Sequence, residues 1–263
     1  MVIVVKAGGR VIKNNLDKLI KSIVSYQEKL IFVHGGGDQV TEYSKRMGVE
    51  PKFITSPEGV VSRYTSREEL DIYVMVMSLI NKMITSMLIG FGKKVMGVTG
   101  VDGAILTAIR KKKIIIIDER GRRRIIDGGY TGKINDVNFS LINALLGLVD
   151  VIVISPVAID ISEGVPLNVD GDQVAKAIAI RGKVERLIFL TDVDGVIFDN
   201  KVVKHLSVNE AIEMASKIGP GMNRKLLMGS EAVNAGVHRV VISSGLVDDP
   251  IGNALNDGGT VIE

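Results

Sequence analysis

Short apolar runs alternate with amphipathic segments along the chain, and this alternation constrains its fold more than any other feature. The apolar runs are rich in Val, Ile and Leu and include VIVV, LIFV, VIVI, LIFLT and VVIS. Helical patterns follow the first two runs, from about Leu16 to Glu28 and after Asp38. Because alternating strands and helices form parallel sheets through crossover connections, the sequence predicts an α/β fold with a mainly parallel central sheet.

The composition supports this fold class and excludes several kinds of site. Hydrophobic residues make up 46% of the 263 residues, but aromatic residues only 4%, so the core must be aliphatic, as buried parallel strands usually are. The chain contains no cysteine, which excludes disulfides, thiolate metal sites and a cysteine nucleophile, and suits a reducing compartment. Because no Pro-rich or Ser-rich linker divides the chain, we expect one folding unit.

No segment has the pattern of a secretion signal or a membrane span. The chain opens on the strand-like run Val2–Val5, without a basic or long apolar leader. The longest apolar stretch, Ser140–Ile159, contains Asn143, Asp150 and Pro156, and it divides into a predicted helix and a buried strand. We therefore expect a cytoplasmic protein without a membrane partner.

Two glycine-rich turns directly follow the first two predicted strands. Lys6, Gly8 and Gly9 end the first strand, and Gly35–Gly37 follow the second. Glycine lets backbone N–H groups approach an anion closely, and the N-terminus of a following helix favours phosphate. Neither turn matches a known phosphate-loop pattern, so each alone is also compatible with a tight turn, and Lys6 with a surface lysine. Together, at the carboxyl ends of parallel strands, they predict an anion site.

Three further polar or glycine-rich loops follow apolar segments later in the chain. Asn168–Asp172 leads into an apolar helical segment, Thr191–Gly195 follows the run LIFLT, and Lys225 follows a loop that contains Gly219 and Gly221. The alternative interpretation of the first loop is that Asp172 only caps the next helix. Five such loops at strand or helix ends have the layout of one site at a sheet edge.

The histidines give no strong sign of a metal site. There are only three of them, His34, His205 and His238, so we expect no histidine-ligated metal. His34 adjoins the second glycine turn, and two interpretations are open, a structural residue that ends a buried strand and a functional one. We favour the structural interpretation.

The segment Arg110–Arg124 is strongly basic. It holds eight Lys or Arg against Asp118 and Glu119, a local charge of about +6 that exceeds the +3 of the whole chain. A β-branched run, a DERG turn and the run RRRII predict a hairpin with basic ends. Two interpretations remain open, a charged sheet edge that resists aggregation and a docking surface for an anionic partner. Because no aromatic residue interleaves the basic ones, we do not expect that partner to be nucleic acid.

Seven motifs, in this order, make nearly the whole sequence resemble one known family. They are KAGG at Lys6, VHGGG ending at Gly37, SRYT around Arg63, GYTGKI from Gly129, NVDGD from Asn168, TDVDG from Thr191 and GMNRK ending at Lys225. Jointly they resemble the amino-acid kinase family and, within it, the acetylglutamate kinase group. The resemblance implies an αβα sandwich with an acceptor-binding lobe in residues 1–170 and an ATP-binding lobe in residues 171–263.

The resemblance also implies roles for individual residues. Lys6 and Lys225 would stabilise charge on the transferring phosphoryl group, and Asp172 would orient both lysines. Arg63 and Asn168 would hold the α-carboxylate of the acceptor. The other implied contacts are the N–H groups of Gly8 and Gly9 to phosphate, those of Gly36 and Gly37 to the acceptor, and an ATP-binding segment with Thr191, Asp192, Asp194 and Gly195. ATP would bind with Mg²⁺, and a carboxylate acceptor, already ionised, needs no general base.

The acceptor is the least determined part of this interpretation. SRYT with GYTGKI resembles kinases that act on α-aminoadipate or glutamate attached through the α-amino group to the small acidic carrier protein LysW, in lysine and arginine biosynthesis. The implied docking residues are Lys111, Lys112, Lys113, Arg120, Arg122, Arg123 and Arg124, and Lys133 would extend that face. Two alternatives stay open, an N-acetylglutamate kinase that acts on the free acetylated amino acid and a non-catalytic amino-acid sensor. The motifs do not separate aminoadipate from glutamate, and the resemblance implies a homodimer.

Overall fold

Helices and strands alternate along the chain in a computed structural model that describes residues 2–57 and 59–263. The helices are α1 (Gly9–Ser25), α2 (Gly37–Arg46), α3 (Arg67–Gly90), α4 (Phe139–Leu146), α5 (Gly171–Gly182), α6 (Val208–Ala215), α7 (Met222–Asn234) and α8 (Pro250–Leu255), with a 3₁₀ turn at Asp102–Ala104. The strands are β1 (Val2–Ala7), β2 (Lys29–His34), β3 (Lys52–Thr55), β4 (Val61–Tyr64), β5 (Val95–Thr99), β6 (Leu106–Arg110), β7 (Lys113–Ile117), β8 (Arg123–Asp127), β9 (Gly132–Val137), β10 (Val151–Ser155), β11 (Val157–Asp160), β12 (Val165–Asn168), β13 (Arg186–Thr191), β14 (Ile197–Phe198), β15 (Lys201–Val202), β16 (His205–Leu206), β17 (Arg239–Ser244) and β18 (Thr260–Ile262).

Eight strands form the central sheet, in the order β16, β18, β17, β13, β1, β2, β10 and β5. Every neighbouring pair is parallel except β17 and β18. The β1 strand lies between β13 and β2, with Lys6 opposite Phe189 on one side and Val33 on the other. The predicted mainly parallel sheet is confirmed.

Helices cover both faces of this sheet, because side chains alternate between two buried clusters. Val4 and Ile31 belong to one cluster, with α4, α5, α6 and α7. Ile3, Val5 and Phe32 belong to the other, with α1, α2, α3 and α8. A strand buried on both faces needs apolar residues at every position, which explains the unbroken aliphatic runs of the sequence. The result is the expected αβα sandwich.

The two expected lobes share this sheet. Strands from residues 171–263 continue directly from β1, and strands from residues 1–170 continue on its other side. Two smaller four-stranded sheets, β12-β11-β6-β9 and β4-β3-β7-β8, lie within residues 52–168. The division into an acceptor lobe and an ATP lobe stays a prediction.

Two local predictions can be compared with the structure directly. The first helix begins at Gly9 and ends at Ser25, so the prediction of Leu16 to Glu28 was wrong at both ends. Its periodicity is interrupted because Asn15 has a non-helical backbone. The prediction that Ser140–Ile159 divides into a helix and a strand is confirmed by α4 and β10.

One helix in the described part of the chain, α3, is long and apolar enough to cross a membrane by length and composition. Half of the most apolar 18-residue stretch of this helix is buried inside the protein. Leu70, Ile80, Ile84 and Leu88 are at most 3% exposed, so these residues of α3 belong to the buried core.

Candidate active site

Four helix N-termini converge at the carboxyl ends of the central strands. The α1 helix follows β1 and α2 follows β2, each through one of the glycine turns. The first turns of α5 and α7 carry Asp172 and Lys225. Because helix N-termini carry partial positive charge and free N–H groups, this arrangement favours a phosphate.

The two glycine turns lie against each other, so side chains would not fit between them. A Cβ atom on Gly35 would come within 2.8 Å of the Gly9 nitrogen, and one on Gly9 within 3.3 Å of the Gly36 and Gly37 nitrogens. The sequence placed both turns at strand ends, and the structure makes them one loop cluster.

Backbone hydrogen bonds separate the glycines into two groups. The N–H groups of Gly9, Gly36 and Gly37 have no hydrogen-bond acceptor among the described residues, so they are free to bind an anion. Gly8 is the exception, because its N–H donates to Leu190 O at 3.3 Å. In this conformation the Gly8 N–H therefore joins the first turn to β13, and its expected contact with a phosphate stays a prediction.

Lys6, Asp172 and Lys225 form a linked ion-pair cluster. The Lys6 Nζ lies 2.7 Å from one Asp172 oxygen, and the Lys225 Nζ contacts the other. The three side chains are only 12–15% exposed. Asp170, rather than Asp172, caps α5, because its side chain accepts from Gln173 N at 2.9 Å. The alternative that Asp172 is the helix cap is therefore wrong, and its carboxylate is available to hold two lysines.

The electrostatics of this cluster leave one excess positive charge. Burial alone would raise the pKa of Asp172, but Lys6 and Lys225 outweigh it and hold that pKa well below its usual range. Burial opposes the charge of Lys6, yet Asp172 keeps the pKa of Lys6 above its usual value. Burial also lowers the pKa of Lys225, which shares the same carboxylate with Lys6. One carboxylate cannot neutralise two ammonium groups, so the cluster attracts further negative charge.

A cleft with a volume of about 580 Å³ opens beside the cluster. Its polar end includes Lys6, Gly9 and Lys225. Its other wall is apolar and includes Val11, Leu190, Ile197 and Met222. An apolar wall next to a cationic, N–H-rich end matches a nucleotide, which has a base at one end and phosphates at the other.

Most of the expected ATP-binding segment lines this cleft. Thr191, Asp192 and Gly195 are part of its lining, whereas Asp194 is exposed outside it. Gly195 has φ +150, and a Cβ there would lie 2.9 Å from Thr260 Oγ1, so this turn requires glycine. Asp192 forms an ion pair of 2.7 Å with Arg10 at the mouth of the cleft. Our sequence reasoning missed Arg10, although it directly follows the first glycine turn.

Of the two expected acceptor residues, Arg63 contacts the second glycine turn and Asn168 contacts the segment that carries Arg63. Arg63 donates to Gly37 O at 2.9 Å, and it also contacts Thr41 and Glu69. Asn168 donates to Thr65 Oγ1 at 2.8 Å, and Thr65 is two residues from Arg63.

Glu69 is a functional candidate that the sequence motifs did not identify. With Ser66 it matches the pattern of a helix capping box, and Ser66 Oγ does accept from Glu69 N at 3.2 Å. Its side chain instead pairs with Arg63, and the two side chains are 3% and 8% exposed. The local pattern suggested a cap, and only the fold brings β4 against α3.

His34 lies outside the cleft lining and is fully buried. Its Nε2 lies 2.9 Å from Ser155 Oγ and its Nδ1 lies 3.0 Å from Gly35 O. Burial lowers the pKa of His34 to about 4, so the imidazole is neutral at pH 7. These contacts favour the structural interpretation of His34.

The basic segment forms the expected hairpin, with Ile115 opposite Ile125 in β7 and β8. At its tip, Arg122 and Arg124 pair with Asp118 at 3.2 and 2.9 Å. At its base, Arg110 and Lys112 pair with Glu163 at 3.1 and 3.4 Å. The other cations form no ion pair with a carboxylate among residues 2–57 and 59–263, and they are Lys111, Lys113, Arg120 and Arg123.

Comparison with known proteins agrees with this geometry. The chain is 62% identical over 260 residues to LysW-aminoadipate/LysW-glutamate kinase of Metallosphaera sedula, covering 99% of each chain. It is 58% identical to the protein of the same name from Saccharolobus solfataricus, covering 99% of this chain and 98% of that one.

Solved structures share the fold at low sequence identity. N-acetylglutamate synthase from Neisseria gonorrhoeae superimposes with a TM-score of 0.82 at 23% identity, covering 99% of this chain and 59% of that longer one. Carbamate kinase from Giardia lamblia superimposes with a TM-score of 0.67 at 16% identity, covering 99% and 98%. Residues 1–244 match the Amino acid kinase family. The chain therefore belongs to the amino acid kinase family, as its seven motifs predicted.

Proposed function

We propose that this kinase transfers the γ-phosphoryl group of ATP to the side-chain carboxylate of α-aminoadipate or glutamate carried by LysW. The observation that carries the proposal is the Lys6–Asp172–Lys225 cluster, whose two lysines line the nucleotide-sized cleft. Full-length relatives named for this substrate, at 58–62% identity, support the choice of acceptor.

The reaction needs positioning and charge stabilisation more than proton transfer. An ionised carboxylate oxygen of the acceptor attacks the γ-phosphorus, the bond to the β–γ bridging oxygen breaks, and ADP leaves with the bonding electrons. Lys6 and Lys225 stabilise the negative charge on the transferring group and the departing oxygen. Asp172 holds both ammonium groups in place while leaving a net positive charge.

The cleft residues fit ATP. In this proposal the apolar wall holds the base, Asp192 and Gly195 lie at the ribose, and Gly9 N–H reaches the phosphates. Mg²⁺ bound with the nucleotide would supply further neutralisation of phosphate charge. Among the described residues no group of three His, Asp or Glu side chains is placed to hold a metal alone, so phosphate oxygens and water would complete its coordination.

The acceptor lies over the second glycine turn. Arg63 and Asn168 bind its α-carboxylate, and the N–H groups of Gly36 and Gly37 face its reacting carboxylate. Arg63 is already held by Glu69, Thr41 and Gly37 O, so its guanidinium is pre-oriented and loses little freedom on binding. Its Nε makes no hydrogen bond within the described residues and remains available to the acceptor.

The acidic carrier docks on the face that carries the basic segment Arg110–Arg124. The proposal places the enzyme in the cytoplasm, and it includes neither a nucleic acid nor a membrane as partner. It also includes a homodimer, supported by an apolar stripe on α3 where Met75, Leu79 and Met83 are 41–55% exposed. Analytical ultracentrifugation of wild type and Leu79→Glu tests the dimer, which the new charge should dissociate.

An N-acetylglutamate kinase is the alternative, because the acceptor loop alone does not distinguish a carrier from an acetyl group. A non-catalytic sensor is disfavoured by the complete Lys6–Asp172–Lys225 cluster. An ATP-dependent assay that traps the acyl phosphate with hydroxylamine decides between them. It compares free N-acetylglutamate, LysW-linked glutamate and LysW-linked aminoadipate, and we expect both carrier-linked acceptors to have the higher kcat/KM. Faster turnover of free N-acetylglutamate would support the alternative.

A further inference from the structure

We propose that Lys111, Lys133 and Arg224 form a cationic rim at the acceptor end of the site, which binds carboxylates of an acidic peptide linked to the substrate. The inference rests on the proposed function and makes it more specific. In this inference the rim selects a carrier-linked acceptor. The tip of the basic hairpin contributes only long-range attraction.

Backbone hydrogen bonds place Lys111 close to the acceptor residues. Asn168 N–H donates to Tyr130 O at 2.9 Å, and Lys111 N–H donates to Thr131 O at 2.9 Å. Thr131 and Asn168 are also bridge partners. Lys111 is therefore two strand spacings from Asn168, roughly 10 Å, which a lysine side chain and an extended peptide can span together.

Lys133 lies on the same exposed surface as Lys111. In the antiparallel pair of β6 and β9 it is opposite Ile109, which is 61% exposed. Lys111 follows Ile109 by two residues, and side chains two apart in an extended strand point to the same side. Neither lysine has a carboxylate within ion-pair distance in the described part of the chain.

Arg224 brings the rim to the reaction centre. It precedes Lys225 in the first turn of α7, and its guanidinium lies 3.3 Å from Asp170. Partial burial lowers the pKa of Lys111, and the charges of Arg224 and Lys133 lower it further. The charge of Asp170 raises it. These four groups thus interact electrostatically, with three cations against one carboxylate.

Phosphoryl transfer does not account for this excess charge. Lys6 and Lys225 already serve the phosphoryl group through Asp172. At the hairpin tip, Asp118 neutralises one of the two charges of Arg122 and Arg124. Cations that remain unneutralised beside an acceptor site suit a ligand that brings its own carboxylates, which a free acetyl group does not.

Two charge-matched double variants test the rim. The rim variant is Lys111→Gln with Lys133→Gln, and the tip variant is Arg120→Gln with Arg123→Gln. All four residues are exposed and have no carboxylate partner within the described residues, so each variant removes two unneutralised charges. The probes are LysW-linked aminoadipate and free N-acetylaminoadipate, with kcat and KM measured for each at 0.15 M salt.

The rim variant should raise KM for the LysW-linked acceptor about tenfold, and should lower the ratio of its kcat/KM to that of the free acceptor by the same factor. The tip variant should lower that ratio less than twofold. An equal or larger effect of the tip variant would overturn the proposal, and so would an equal loss on both acceptors in the rim variant. If wild type itself does not phosphorylate the LysW-linked acceptor, the proposed function is wrong. The inference about the rim, which depends on that acceptor, is then wrong as well.

Discussion

Two cationic regions of this kinase differ in what surrounds their charges. In the reaction centre, Lys6 and Lys225 share one carboxylate and are 12–15% exposed. At the hairpin tip, Arg122 and Arg124 also share one carboxylate, Asp118, but are 55–58% exposed. Water screens the exposed pairs, which are worth about 0–1 kcal/mol, whereas breaking a buried pair costs about 3–5 kcal/mol. In the proposed function, the same residue types therefore serve chemistry in one region and attraction or solubility in the other.

The largest effect on kcat is expected in the buried Lys6–Asp172–Lys225 cluster. Asp172→Asn keeps the volume but removes the charge between two lysines, and should lower kcat by a factor on the order of 100 or more, with smaller changes in KM. Lys6→Ala and Lys225→Ala should show the same pattern, because their charge matters most in the transition state. The hydroxamate assay at saturating substrates measures kcat. Glu213→Gln, which breaks an exposed ion pair with Lys217, is the control and should leave kcat within twofold. A loss confined to KM would contradict the assignment.

Arg63→Ala should weaken binding of the acceptor by about 1.5–3 kcal/mol, the usual worth of a hydrogen bond to a charged group. KM for the acceptor should rise accordingly, while KM for ATP stays within twofold. Glu69→Gln retains the size of the partner of Arg63 and should cause a smaller rise. If KM for ATP increased and that for the acceptor did not, the two pockets would be assigned the wrong way round.

Gly35→Ala tests whether the two glycine turns must touch. The added Cβ would lie 2.8 Å from Gly9 N and 3.2 Å from Ala7 O, so the turns should separate and kcat should fall by about tenfold. Gly90→Ala at the end of α3 is the matched control, because nothing lies within 4 Å of its Cβ. Circular dichroism separates a local shift from a loss of folding. Wild-type kcat in Gly35→Ala would show that the contact is not needed.

Buried His34 should make the free energy of unfolding depend on pH. Because burial lowers its folded pKa to about 4, below the usual value of about 6.5, the unfolded state binds more protons between these pH values. Stability is unaffected by this group above pH 6.5, and it falls by up to about 1.4 kcal/mol per unit as the pH decreases toward 4. Urea unfolding at pH 7.5 and 5.0 should show a smaller difference for His34→Gln than for wild type. His238→Gln changes a residue that is 70% exposed and should behave as wild type.

The smallest effect is expected at the exposed tip. KM for the LysW-linked acceptor should rise severalfold as salt screens the basic face, because the Debye length falls from about 10 Å at 0.1 M to about 3 Å at 1 M. KM for the free acetylated acceptor should change little. Arg122, Arg123 and Arg124 replaced together by Ser should reduce this salt dependence. If the triple variant affected both acceptors equally, the hairpin would support the active site, and if it affected neither, the tip would be a charged sheet edge.

Secondary structure and fold class follow from the sequence because they depend on local periodicity. The runs around Val4 and Val153 predict buried parallel strands, and the hairpin around Asp118 is specified by its own turn residues. The start of the first helix was not predictable in the same way. Its kink at Asn15 goes with side-chain hydrogen bonds to Gly245 O and Val247 O, more than 200 residues away along the chain.

The sequence by itself determined the family and the fold class, and it predicted which lysines, glycines and carboxylates belong to the site, because motifs record residue identity and spacing. The tertiary structure decided which of them act together. Asp172 pairs with two lysines, and Asp170 caps α5. The Gly8 N–H donates a hydrogen bond to β13. The tertiary structure also showed that Asp118 and Glu163 neutralise part of the basic segment. Pairing and burial depend on contacts between distant segments, and these set the strength of every charge in the site.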